Sequence, residues 1–129
     1  MRVLMFKSRF APLVKSGIKR QTIRCTARCK AGDTLSLRCW TGLPYRSKQE
    51  LLREATCSDV VPVIITRSGI QFNFPSCGLA DAEPSDCMAN ADGFSNWDDM
   101  VTWFEKEHGL PFHGDLIRWD VKAKEGMTI

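Results

Sequence analysis

"SGIKRQTIR", residues 16–24, sets three cationic side chains and a threonine around a short strand-like run, with a glycine in front. The residues before it have helical spacing. In "RFAPLVKSG" (9–17), Phe10, Leu13 and Val14 recur at i, i+3 and i+4, and Gly17 supplies the left-handed residue that ends such a helix. The residues after the basic turn are extended. Thr22 and Ile23 are β-branched, so "QTIRC" predicts a strand with Thr22 and Arg24 on one face and Ile23 on the other. Lys19 lies in the turn between helix and strand. A helix and a strand joined so tightly point to a mixed α+β fold.

Further strands follow from alternation. "KAGDTLSLRCW" (30–40) turns at Gly32-Asp33 and then places Leu35, Leu37 and Cys39 on one side. A β-branched run from Val60 to Thr66, the Ser68-Gly69 turn and a return at Ile70–Phe74 read as a hairpin, with Pro62 marking an edge or a bulge. Turn formers and acids fill "PSCGLADAEPSDCMANADG" (75–93), which reads as a loop with at most one irregular helical turn. "SNWDDMVTWFEKEHG" (95–109) is the clearest helix. Ser95 with Asp98 has the capping-box pattern, Trp97, Met100, Val101 and Phe104 form the apolar stripe, and Gly109 with Pro111 ends it. "GDLIRWDVK" (114–122) supplies a last strand. Short strands with two helices inserted imply a small, mostly β barrel carrying α elements.

The chain of 129 residues, 43% hydrophobic and 26% charged, fits one domain able to bury a core. Lys7 and Arg9 interrupt the apolar start, and no apolar run approaches the roughly 18 residues of a membrane span, so a cytoplasmic protein with no membrane contact is expected. The six cysteines (Cys25, Cys29, Cys39, Cys57, Cys77, Cys87) contain no C-x-x-C, and His108 and His113 stand far from them. Metal and cofactor are therefore not expected, and the cysteines read as free and mostly buried. Charge is unevenly spread. Residues 1–53 hold 13 Lys or Arg against 2 acids, and residues 54–129 hold 5 against 13, giving +11 and −8. Such a split marks a polyanion-binding face unless the fold interleaves the two halves.

The order of a helix, "GIKRQTIR", "AGDTLSLR", "ADGF" ahead of an amphipathic helix, and a terminal "GDLIRW" resembles an ASCH domain of the PUA-like superfamily over nearly the whole chain, 1–129. "GIKRQTIR" is the most specific piece. The resemblance implies a PUA-like β-barrel with a cleft lined by the Lys-Thr-Arg segment. Members of the family include RNA-associated domains, proteins described as ribonucleases, and bacterial N(4)-acetylcytidine amidohydrolases. In the amidohydrolase branch the lysine of G-x-K-x-x-T-I-R accepts a proton, the threonine is the nucleophile, and a downstream glutamate is the proton donor. Here those roles fall on Lys19 and Thr22. The third position best matches Asp92, one methylene shorter, with Glu83 the other candidate.

That chemistry makes a physical demand. A threonine hydroxyl attacks an amide only if a base within hydrogen-bond reach takes its proton, and lysine is a base only when neutral. At an ordinary pKa of about 10.4, roughly one lysine in several thousand is neutral at pH 7, so the site must lower that value. Burial and the cations Arg20 and Arg24 would do so, and a protonated Asp92 would not oppose them. Arg20, Arg24, Trp40 and Tyr45 are the candidate substrate-binding residues, the aromatics as stacking surfaces. His108 reads as a helix cap. Three functions fit: an amidohydrolase acting on a nucleoside or base, an RNA-binding module, and a ribonuclease using the same basic cleft.

Overall fold

The computed structural model describes residues 2–74 and 78–121, so Cys77 and the end of the last predicted strand lie outside the described residues. In chain order the elements are β1 (Arg2–Phe6), α1 (Ala11–Ser16), β2 (Gln21–Arg24), β3 (Thr34–Trp40), β4 (Gln49–Thr66), β5 (Gly69–Phe74), β6 (Gly78–Ala82), α2 (Asp86–Ala91), α3 (Trp97–His108) and β7 (Phe112–Val121). The fold is mixed α+β, mostly strand, with three short helices among the described residues.

Strand β4 organises the sheet. One edge pairs with β3 through its first half (Gln49–Thr56) and with β5 at its end (Val63–Thr66), while β7 runs antiparallel along the other edge from Ala55 to Ile65. β1 joins β3 in parallel, β6 joins β5, and β2 joins β7 with Thr22 opposite Ile117. Pro62 falls where β4 is paired on the β7 side alone, so its missing N–H removes no ladder donor on the other edge. The sheet is open rather than the closed barrel expected, because β1 and β2 do not pair. Arg24 spans that gap instead, its Nη2 donating to the Met5 carbonyl at 2.7 Å.

The core forms where the strand alternation and the helix stripe meet. Leu35, Leu37, Val61, Ile65 and Ile117 come from the sheet, and Trp97, Met100, Val101 and Phe104 from α3. Each side chain of this size withdrawn from water stabilises the fold by roughly 1.5–3 kcal/mol. Helix α3 begins one residue later than its sequence pattern predicts. Asn96 is the N-cap, its Oδ1 accepting from Asp99 N at 2.8 Å, and Asp99 Oδ2 in turn accepts from Ser95 N at 3.0 Å. The Asn96 side chain thus satisfies a free N–H of the first turn, while Asp99 reaches back past the cap to the Ser95 N–H.

One further expectation is corrected and two features are added. β1, with Arg2 at its start and Lys7 just past its end, is made a strand by parallel pairing with β3. The stretch read as loop contains β6, whose side chains, Leu79 included, are mostly exposed and whose backbone is held by the β5 ladder, as well as α2. The two charge halves are partly interleaved: Lys7 pairs with Glu107 at 3.3 Å, Arg9 with Asp99, and Lys19 with Asp92. No helix among the described residues is long and apolar enough to cross a membrane.

Candidate functional site

Lys19 is placed by its backbone. Gly17 takes φ 85° and ends α1, and the chain folds back so that Lys19 N–H donates to Leu13 O at 3.0 Å. This turn aims the side chain inward, where only 2% of Lys19 is exposed. Its Nζ donates to the main-chain carbonyl of Asp92, the residue that ends α2, and stands 3.5 Å from Asp92 Oδ1. A cation thereby satisfies a carbonyl that the helix leaves free. The ammonium also lies over the Phe10 ring, 5.0 Å from its centroid.

Asp92 is equally buried, and its Oδ1 has no hydrogen-bond partner among the described residues. Burial pushes its carboxyl above the usual range, opposed by Lys19, Gln21 and Arg24. Burial likewise pushes Lys19 below the ordinary lysine range, against the pull of Asp92, with Arg24 adding to the fall. The pocket thus moves both partners toward their neutral forms, because desolvation penalises each charge more than their separation at 3.5 Å repays.

Thr22 and Arg24 share a face of β2, as their alternation requires. Arg24 Nε donates to Thr22 Oγ1 at 3.2 Å, and the guanidinium lies over Phe6, 4.9 Å from the ring centroid. An acidic partner for Arg24 is not found among the described residues; it bonds to a hydroxyl and a carbonyl instead. The expected Lys19–Thr22 hydrogen bond is not made, since the amine is engaged by Asp92 and the hydroxyl by Arg24.

All four side chains line one cavity of about 260 Å³. Its walls are aromatic: Phe6, Phe10, Phe94, Trp103 and Phe104, with His108 at the end of α3. Phe10 meets Phe94 edge-on at 5.3 Å and Trp103 at 6.0 Å. These walls went unread in the sequence because they come from separate elements, although Trp103 carries a signal in standing off the core stripe of α3. His108 packs against Phe112 at 4.8 Å. Gly93 brings Asp92 into place at φ 96°, a left-handed turn, and a Cβ there would stand 2.9 Å from Phe10 Cδ1 and 3.1 Å from Lys19 Cδ.

The remaining candidates lie elsewhere. Arg20 is exposed in the turn before β2 and donates from Nε to Gly17 O at 2.9 Å, at the end of α1. Trp40 and Tyr45 pack on each other at the far end of β3, rings 5.2 Å apart, and Trp40 lines a separate depression with Pro12 and Leu52. Glu83 borders another depression beside Thr66 and Ser68, so the acid brought to Lys19 is Asp92. Neither Arg20, Trp40 nor Tyr45 lines the Lys19 cavity. No family model, curated protein or solved structure matches this chain.

Proposed function

We propose that this chain is an ASCH domain of the PUA-like superfamily that hydrolyses the acyl amide of N(4)-acylated cytosine nucleosides. The observation that carries the proposal is convergence: Lys19, Thr22, Arg24 and Asp92, from a turn, a strand and a helix end, meet in one aromatic-walled cavity. The flat apolar walls suit a heteroaromatic ring, and the volume is small enough to favour a nucleoside or base over a larger ligand. The small, strand-rich α+β fold is compatible with that family, and the "GIKRQTIR" turn carries the resemblance.

In this mechanism neutral Lys19 takes the proton of Thr22 Oγ1 as the oxygen attacks the acyl carbon. Arg24 supplies N–H groups to the oxygen on which negative charge develops, and protonated Asp92 delivers a proton to the departing exocyclic amine. The amide C–N bond breaks as the acyl group passes to threonine. Water then releases the carboxylic acid, with Lys19 returning its proton to Asp92. Breaking the resting Lys19–Asp92 contact is part of the cycle, since catalytic hydrogen bonds tighten around bound substrate.

Purified protein with N(4)-acetylcytidine should show the ultraviolet absorbance change of deacetylation, and Thr22→Ala should lower kcat at least about 100-fold, the scale of a lost nucleophile or its base. A flat trace with several N(4)-acylcytosines would remove the proposal. Cavity charge separates this reading from RNA binding or RNA cleavage in the same place. A neutral nucleoside brings no charge to the cavity, so its KM should stay nearly flat from low to high salt. Were phosphate the ligand of this cavity, affinity would fall steeply with salt.

A further inference from the structure

The turn between β3 and β4 is an aromatic and cationic feature with no part in the cavity. Residues 34–49 contain Arg38, Arg46 and Lys48 and no acid. Glu50, which follows, is held by Lys15 at 3.3 Å. The turn is fixed by its own hydrogen bonds. Thr41 N donates to Lys48 O at 2.9 Å, Gly42 N to Ser47 Oγ at 2.9 Å, and Ser47 Oγ to Leu43 O at 2.8 Å. This frame holds Tyr45 at φ 63°, a conformation that bulky residues rarely adopt, and leaves it 88% exposed beside a mostly buried Trp40. Leu43 is also exposed.

A hydrogen-bonded turn that displays a tyrosine against a tryptophan, with Arg46 and Lys48 in the same turn and the neighbouring acid Glu50 paired with Lys15, has the two recognition elements of a strand-binding surface. Aromatic faces accept successive bases, and Lys or Arg accept the phosphates between them. An acidic protein segment would use the charge but leave the rings unexplained. From this we infer that the β3–β4 turn is a docking surface for single-stranded nucleic acid, with Tyr45 and Trp40 stacking bases and Arg46 and Lys48 contacting the backbone. The prior ordering of the turn lowers the entropy lost on binding. The inference is independent of the amide hydrolysis proposed for the cavity.

Fluorescence anisotropy of a labelled oligouridylate of about 12 nucleotides tests it at about 50 mM salt. Tyr45→Ala should weaken binding about fivefold or more, and Arg46→Gln with Lys48→Gln should flatten the salt dependence by about 0.7 in the log–log slope for each phosphate no longer neutralised. Lys19→Met should bind the oligonucleotide as the parent does, and Tyr45→Ala should keep the parent rate on N(4)-acetylcytidine. Four outcomes would overturn the inference: no binding by the parent protein, unchanged binding by Tyr45→Ala, loss of binding in Lys19→Met alone, or equal displacement by polyglutamate of matched charge. The last two would move the ligand to the cavity or reduce the surface to a simple polyanion contact.

Discussion

Lys19→Met should lower kcat/KM on N(4)-acetylcytidine by at least about 100-fold while the protein still folds. Methionine matches the unbranched stem and keeps the contacts with Phe10, but it cannot take a proton. Alanine is the poorer probe. A lysine in a turn ordinarily contributes little packing, whereas this one is among the largest fully buried side chains, and truncation would leave a cavity on the scale of about 2–5 kcal/mol. Lys19→Arg should be inactive as well, since a guanidinium does not deprotonate in this range. The pH profile of stability separates a buried Lys–Asp couple from a merely structural lysine. Asp92, raised above 3.8, contributes stability at low pH that is lost as pH rises through its folded-state value. Lys19, lowered from 10.5, has the opposite sign: the unfolded chain holds the proton longer, so stability increases as pH rises toward 10.5. Removing the cation takes away a group that lowers Asp92, so in Lys19→Met the acid-side loss should extend to higher pH and the alkaline gain should vanish. Asp92→Asn should abolish the acid-side loss. Parallel melting curves for all three proteins across pH would contradict the coupling.

What the sequence conveyed tracks how local each cause was. The α1 helix, its stop at Gly17, β2, the Leu35-Leu37-Cys39 face of β3 and the β4–β5 hairpin depend on near neighbours, and their periodicity showed them. β1, β6 and the first half of β4 depend on partners far along the chain. "QELLREA" at the start of β4 has no β-branched residue, yet it is strand because β3 lies along it and β7 takes over at Ala55. The same division runs through the cavity. Lys19, Thr22 and Arg24 lie within six residues of one another and could be read as a group, and Asp92 was reached only through the family resemblance. The aromatic walls come from β1, the residue before α1, the residue after Gly93, and α3, and no local pattern links them. Trp40 and Tyr45 misled for the converse reason. They were read as stacking surfaces for the Lys19 site, but although Cys39 pairs with cavity-lining Phe6, Trp40 lines the separate depression with Pro12 and Leu52 and packs there on Tyr45.

Gly93→Ala should damage the site through crowding, and a second glycine supplies the control. At φ 96° an alanine is strained whatever surrounds it, by roughly 1–2 kcal/mol. Its Cβ would also stand 2.9 Å from Phe10 Cδ1 and 3.1 Å from Lys19 Cδ, closer than carbon atoms pack. Neither neighbour can swing away freely. Phe10 is wedged edge-on against Phe94 and Trp103, and the lysine stem is held by the bond from its amine to Asp92 O. Relief must come from moving the cavity wall, the amine, or the 92–94 turn itself. Overpacking of this kind adds about 1–3 kcal/mol, and displacing a catalytic group by about 1 Å can slow a reaction about 100-fold. Gly32 has nearly the same backbone, φ 95°, with nothing within 4 Å of the methyl group an alanine would add. Gly32→Ala should therefore show the backbone strain alone: a modest fall in melting temperature and unchanged turnover of N(4)-acetylcytidine. Gly93→Ala should melt several degrees lower still and lose most of its kcat. If the two variants retain the same kcat, Gly93 does not position Lys19, and the close approach of the 92–94 turn to the lysine stem has no role in the chemistry.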